Sequence, residues 1–287
     1  MVVPSLSLSG QVAMVTGARR GIGEACALVF AEAGADVAIC DWVTDTGELT
    51  RVADKIEKLG RRCLAAHTDA KNKVEIDELV KKVLTEFGTI DILVNNAGVG
   101  DGGRTTEPDE FDVEESKTRL AERESLLSES AMIVNLDETA WDMVFDNNLK
   151  SCVLCSKAVA PVMMKQKRGN IINISSVRAD ARGRGALTAY AISKRDMIMV
   201  TEGLAADLAK YNIRVNAIAP GGIETEMMRV YWAIPQRLEQ LTSRMPLSNA
   251  LIPPSTCANA ALFLVSDLAT YITGQTITVD AGLMLNL

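Results

Sequence analysis

The chain has 287 residues, 48% apolar and 23% charged, a composition that can bury a full core and excludes a disordered polypeptide. Its net charge of −7 argues against nucleic acid or an anionic membrane as the main partner. A single histidine, His67, excludes any metal site with two His ligands and leaves a Ser-His-Asp triad without support, and no apolar run approaches the roughly 20 residues of a membrane span.

The opening "MVVPSLSLSG" has no Lys or Arg and no long apolar core, so it does not read as a secretory signal, and a cytoplasmic location is expected. Cys26, Cys40, Cys63, Cys152, Cys155 and Cys257 then read as reduced and mostly buried. Cys152 and Cys155 form a C-x-x-C in a helical stretch, but no second pair completes a zinc site.

Strand and helix alternate through the first half. "QVAMVTG" is a strand ending at Gly17, and "EACALVFAEAG" a helix stopped by Gly34. "ADVAICD" is a strand, "DTGELTRVADKIEKLG" an amphipathic helix, "RCLAAH" a third strand with His67 at its end. "VEIDELVKKVLTEFG" is a helix and "IDILVNNAG" a fourth strand. Later, "GNIINISS", "IRVNAIAPGG" and "QTITVDAG" supply three more strands between long helices. This alternation predicts an α/β fold, a parallel sheet with helices on both faces, in a single domain over 1–287.

Residues 100–138 break the pattern. They carry twelve acidic and four basic residues, a net of −8 that leaves +1 for the rest of the chain. Val113, Leu120 and Leu127 recur every seven residues, so the insertion is predicted to form a helix docked on the body or on another subunit.

The first strand runs into "TGARRGIGEA", which places Gly17, Gly21, Ile22 and Gly23 at a strand-to-helix junction. Glycines there permit a tight turn and let the backbone approach a pyrophosphate on the helix N-terminus. Asp41 ends the second strand, where a carboxylate can bind the adenosine ribose hydroxyls and repel the extra phosphate of NADP; Arg20 beside the loop pulls the other way. NAD is the expected cofactor, with NADP second.

In "ALTAYAISKRD", Tyr190 and Lys194 share one helix face, and their polar ends can meet. Alone, that spacing fits an ordinary helix surface as well as an acid/base pair.

Four motifs in order, "TGARRGIG", "NNAG", "YAISK" and "PGGIET", resemble the short-chain dehydrogenase/reductase family over nearly the whole chain. The resemblance implies a Rossmann-like, doubly wound sheet of seven parallel strands, a nicotinamide cofactor and a frequent homotetramer. It implies that Tyr190 is the catalytic acid/base and Lys194 its partner. Ser176 would bind the reacting oxygen, with Ser175 the runner-up; Asn148 would support a proton-relay water, with Asn147 adjacent. Asp69 and Ala70 would lie at the adenine and Asn95 on the ribose side. Ile223 and Thr225 would clamp the carboxamide, and Pro220 would also lie at the cofactor. The physics agrees: a free Tyr has pKa ~10, and a nearby ammonium favours the phenolate. The reaction expected is interconversion of a secondary alcohol and a ketone, with no metal.

Arg178, Arg182 and Arg184 lie between Ser176 and Tyr190. They either capture an anionic substrate or face water and the acidic insertion. A lid is expected over about 226–250, where Met227, Met228, Tyr231 and Trp232 suit a bulky or cyclic substrate or simply pack the lid on the body. The rivals are a 3-oxoacyl-thioester reductase, which would more often use NADPH, and a catalytically idle family member serving as a binding or assembly subunit. In "VDAGLMLNL", Ala281 stands where the family usually has glycine, and the apolar tail suggests burial against a neighbour.

Overall fold

The computed structural model describes residues 5–100, 137–180, 188–228 and 234–286. The apolar stripe of Val113, Leu120 and Leu127 in the acidic insertion, together with Arg182, Arg184, Tyr231 and Trp232, lies outside the described residues.

Seven parallel strands form one sheet: β1 (Val12–Thr16), β2 (Asp36–Asp41), β3 (Cys63–His67), β4 (Ile92–Asn95), β5 (Gly169–Ile174), β6 (Ile213–Pro220) and β7 (Thr276–Val279), in the order β3-β2-β1-β4-β5-β6-β7. The helices are α1 (Gly21–Glu32), α2 (Glu48–Lys58), α3 (Lys73–Phe87), α4 (Glu138–Phe145), α5 (Ser151–Gln166), α6 (Ala189–Leu208), α7 (Pro235–Thr242) and α8 (Pro254–Val265). No described helix is long and apolar enough to cross a membrane.

Every residue of β1 and β2 is buried, as expected of a parallel sheet covered on both faces. The period of two divides each strand between two cores. Ala13, Val15, Val37, Ile39, Ile92 and Val94 pack in the core that includes α1 and α8. Val12, Met14, Ala38, Cys40 and Leu93 pack in the core that includes α3 and α5. Five of the six free cysteines are buried and Cys63 is half-buried. His67 ends β3 with an exposed side chain, its Nδ1 3.8 Å from a Glu75 carboxylate oxygen.

The first helix begins three residues earlier than its apolar pattern indicates, at Gly21, so the glycine turn itself becomes the first helical turn. Ala281 adopts φ +53°, a left-handed conformation that favours glycine. In the tail, Leu283 is buried whereas Leu285 is 85% exposed. The strand order reverses between β1 and β4, and the carboxyl ends of those strands open the crevice where such sheets bind ligands.

Arg214 on β6 ties the far side of the sheet to α8. Its guanidinium donates to the Leu264 carbonyl, to Ser266 O at 3.1 Å and to Ile272 O at 3.4 Å. These are charge-assisted bonds to the orphan carbonyls at and beyond the end of α8. Arg214→Met is expected to lower unfolding stability by about 2–4 kcal/mol, seen as a lower urea midpoint at constant slope; an unchanged midpoint would show that water replaces the guanidinium.

Candidate active site

The glycine turn and the end of β4 are built as one unit. Gly17 has φ +64°, and a Cβ there would lie 2.9 Å from Ala97 Cα. A Cβ on Gly23 would lie 2.3 Å from the Gly17 carbonyl and 2.5 Å from Asn96 Nδ2, too close for any side chain. Asn96 Nδ2 donates to Thr16 O at 3.1 Å and Gly17 O at 2.8 Å, while Thr16 Oγ1 accepts from the Asn96 and Ala97 amides at 3.1 Å each. The backbone is thus laid bare at the N-terminus of α1, where unpaired amides favour an anion. Across the crevice, a Cβ on Gly21 would lie 3.3 Å from Thr225 Cγ2, so Thr225 faces the turn. This side-chain-free cradle fits the pyrophosphate of a dinucleotide.

At the tip of β2, Asp41 is 7% exposed and its Oδ1 accepts from the Val43 amide at 3.1 Å. Burial pushes its carboxyl above the usual range; Val43 N–H and Arg19 oppose that shift. Arg19, which motif reading passes over in favour of Arg20, is buried with its Nε 3.4 Å from Asp41. Arg20 is half-buried, and burial followed by the Arg19 charge lowers its pKa. Asp69 follows β3; its carboxylate accepts from the Lys71 amide at 3.2 Å, and Ala70 beside it is buried.

Two expected cofactor residues turn their side chains inward. Asn95 Nδ2 donates to Ser156 Oγ at 3.0 Å and Asn173 Oδ1 at 2.8 Å, within the sheet interior. Ile223 packs in the core beyond Pro220 and bridges to Ile252. Any ligand contact from either residue therefore runs through its backbone.

The catalytic candidates gather at the ends of β4 and β5 and the start of α6. Thr188 caps α6 by accepting from the Ala191 amide at 3.0 Å. Six residues on, Lys194 is 4% exposed and its Nζ donates to the Ile174 carbonyl at 2.7 Å. That Nζ lies 5.7 Å from the centroid of the half-buried Tyr190 ring. Ser175 Oγ donates to the Lys194 carbonyl at 2.8 Å, which commits it to holding the helix. Ser176 Oγ accepts from the Arg178 amide at 3.1 Å, so its hydroxyl proton remains available among the described residues.

Asn148 lies in a π-helical turn, Asp146–Lys150, between α4 and α5. Such bulges redirect side chains and recur at functional sites. Asn148 is fully buried: Nδ2 donates to Val99 O and to Ser193 Oγ, both at 3.0 Å, and Oδ1 accepts from Val99 N at 2.7 Å. Ser193 Oγ in turn donates to Tyr190 O at 2.8 Å. Asn147 instead folds back on Met143 O at 2.6 Å, away from this network. Gly98 completes the floor; a Cβ there would meet Asn148 Oδ1 at 2.9 Å and Lys194 Nζ at 3.5 Å. Asn96, Val99, Ser193 and Asn173 were not singled out by motif reading; Asn96 and Ser193 sit inside motifs that were.

Burial lowers the Lys194 amine from its ordinary 10.5 to about 8. The folded chain therefore holds its ammonium at a cost that is fully present below about pH 8 and fades as pH rises toward 10.5. Lys194→Met lacks this cost. The difference in Tm between Lys194→Met and wild type is expected to favour the variant most at pH 7 and to shift toward wild type by pH 10; a difference independent of pH would contradict the burial cost.

The short chain dehydrogenase family model matches residues 11–120, and a second, described as Enoyl-(Acyl carrier protein) reductase, matches residues 124–284. The 3-oxoacyl-[acyl-carrier-protein] reductase FabG of Thermotoga maritima is 35% identical over 98% of this chain and 100% of its own. The (2S)-[(R)-hydroxy(phenyl)methyl]succinyl-CoA dehydrogenase subunit BbsD of Thauera aromatica is 36% identical over 96% and 98%. Among solved structures, a chain from Sinorhizobium meliloti 1021 described as a short-chain alcohol dehydrogenase superposes with TM-score 0.81 at 32% identity, covering 99% of this chain and 100% of that one. A 7α-hydroxysteroid dehydrogenase complexed with NADH and 7-oxo glycochenodeoxycholic acid gives TM-score 0.79 at 33% identity, covering 96% and 95%. Together with the seven-stranded parallel sheet, these matches show that the chain belongs to the short-chain dehydrogenase/reductase family of NAD(P)-linked oxidoreductases.

Proposed function

We propose that the chain interconverts a secondary alcohol and a ketone, with Tyr190 as acid/base and NAD as the preferred cofactor. The observation that carries this reading is the buried Lys194 ammonium beside Tyr190, with no carboxylate partner among the described residues. An uncompensated buried cation is costly, and here its field stabilises a phenolate one helical turn away.

The dinucleotide, when bound, supplies the hydride acceptor or donor. Gly17, Gly21, Ile22 and Gly23 would cradle its pyrophosphate, Asp41 the adenosine ribose, and Asp69 and Ala70 the adenine. Asn95 and Pro220, with Ile223, would offer backbone, and Thr225 its side chain. In oxidation Tyr190 takes the hydroxyl proton; in reduction it returns a proton to the ketone oxygen. Ser176 donates to that oxygen as charge develops. Asn148 holds the turn after β4 against α6 and so keeps Tyr190 in register. Apolar side chains left exposed on α5 (Val153, 41%) and α6 (Met199, 72%) support association with a second copy.

Tyr190→Phe is expected to lower kcat by about 10²–10⁴-fold while NADH affinity, read by nicotinamide fluorescence, changes little. Substantial turnover in the folded variant would overturn the mechanism.

A second reading, reduction of a 3-oxoacyl thioester, is supported by the names of the FabG and BbsD relatives, which act on acyl-carrier-protein and CoA thioesters. Arg178 is exposed on the turn Val177–Asp180 next to Ser176, where it would meet an anionic substrate. Met227 is exposed, while the fully buried Met245 anchors the far part of the expected lid to the core. A panel of cyclic secondary alcohols, hydroxy acids and hydroxyacyl-CoA compounds separates the two. The alcohol reading expects the highest kcat/KM on neutral cyclic members, with Arg178→Glu nearly silent. Turnover confined to thioesters, with KM raised by Arg178→Glu, would establish the second.

A further inference from the structure

Asp41 does not face the adenosine end of the crevice alone. Arg19, in the glycine turn, lies against it with Nε 3.4 Å from Asp41 Oδ1, and its Nη1 donates to the Glu48 carboxylate. Glu48 stands in the first turn of α2, seven residues beyond Asp41, and matches none of the cofactor motifs. Thr46 Oγ1 donates to the same Glu48 oxygen at 3.3 Å. Arg51, one turn further along α2, donates to the Arg19 carbonyl at 3.4 Å and pairs with Glu24 of α1 at 2.7 Å. The guanidinium is thereby held between two carboxylates, and only 4% of Arg19 is exposed.

An arginine at this place is otherwise well suited to the additional phosphate of NADP, since its planar fork pairs with phosphate through two bonds. Asp41, Arg19 and Glu48 together carry one net negative charge, the adjacent Arg20 feels the Glu226 carboxylate as well as these two, and a dianionic phosphate entering beside Asp41 would meet repulsion. Without the Glu48 charge, the same guanidinium would balance Asp41 alone and could turn a donor edge toward the phosphate. We propose that Glu48 is a second determinant of cofactor selectivity, a positioning residue that keeps Arg19 from the ribose phosphate of NADP.

The proposal rests on the placement of the adenosine ribose at Asp41, and the test separates the two. The apoprotein is titrated with NADH and with NADPH, following nicotinamide fluorescence, and the ratio of the two Kd values is read for wild type, Glu48→Gln, Arg19→Met, their double variant and Asp41→Asn. Thermal unfolding of each confirms that it is folded; Glu48 is partly exposed, and the Gln change keeps its shape. Glu48→Gln is expected to shift the ratio toward NADPH by about five- to tenfold, with a much smaller change in NADH affinity. In the Arg19→Met background the same change should shift the ratio less than twofold. An unshifted ratio in Glu48→Gln, or an equal shift with and without Arg19, overturns the proposal. A ratio unmoved by Asp41→Asn overturns the ribose placement instead, whatever Glu48 does.

Discussion

A single hydrogen bond, from the Lys194 ammonium to the Ile174 carbonyl, joins the proposed acid/base helix of this chain to its sheet. The carbonyl ends β5, a strand clamped on both sides by parallel neighbours, so it cannot move without disturbing the ladder. Lys194 is thus fixed in the interior, and α6 with it. Because Tyr190 is one turn earlier on the same helix, its ring is fixed too. Ser175 completes the clamp from the strand side, and Asn148 with Ser193 from the side of β4. Four backbone segments distant in sequence converge on this one buried charge. Its burial is unfavourable for folding, as its lowered pKa attests, and it persists because the surrounding strands and helices hold it.

The cofactor end of the crevice obeys a different constraint, close approach of backbone to backbone. Gly23 and Gly17 touch each other and the Asn96 amide at distances no Cβ tolerates. The TGARRGIG and NNAG segments, which look like separate signals along the chain, are two halves of one contact. Charge is then arranged beside this neutral cradle: Arg19 lies between Asp41 and Glu48, and Arg20 is within reach of both carboxylates. The proposed selectivity between NAD and NADP rests on the balance among these four rather than on the identity of one residue.

Much of this was legible in the chain. The strand–helix alternation and the continuous apolar runs of β1 and β2 announce a buried parallel sheet, because only such a sheet hides both faces of a strand. Other features were not. Adjacent pairs such as Ser175–Ser176 and Asn147–Asn148 are equivalent in one dimension. The sheet separates the first pair by turning Ser175 under α6, and a π-helical turn separates the second by sending Asn147 back along its own helix. Arg19 escaped notice because its meaning depends on Glu48, which reaches it only after β2 and α2 have folded across the turn.

The sequence by itself determined the family, the order of the strands' appearance and the residue types able to do acid/base work, since those follow from local periodicity and from motifs that each act within one turn. The tertiary structure alone decided that Ser175 is tied to Lys194 and Asn147 to Met143, that Asn95 and Ile223 turn inward, and that Arg19 is held between two carboxylates. The reason is physical. Local spacing sets which face of a helix or strand a side chain occupies, whereas burial, charge balance and hydrogen-bond partners arise from segments that meet only when the sheet closes.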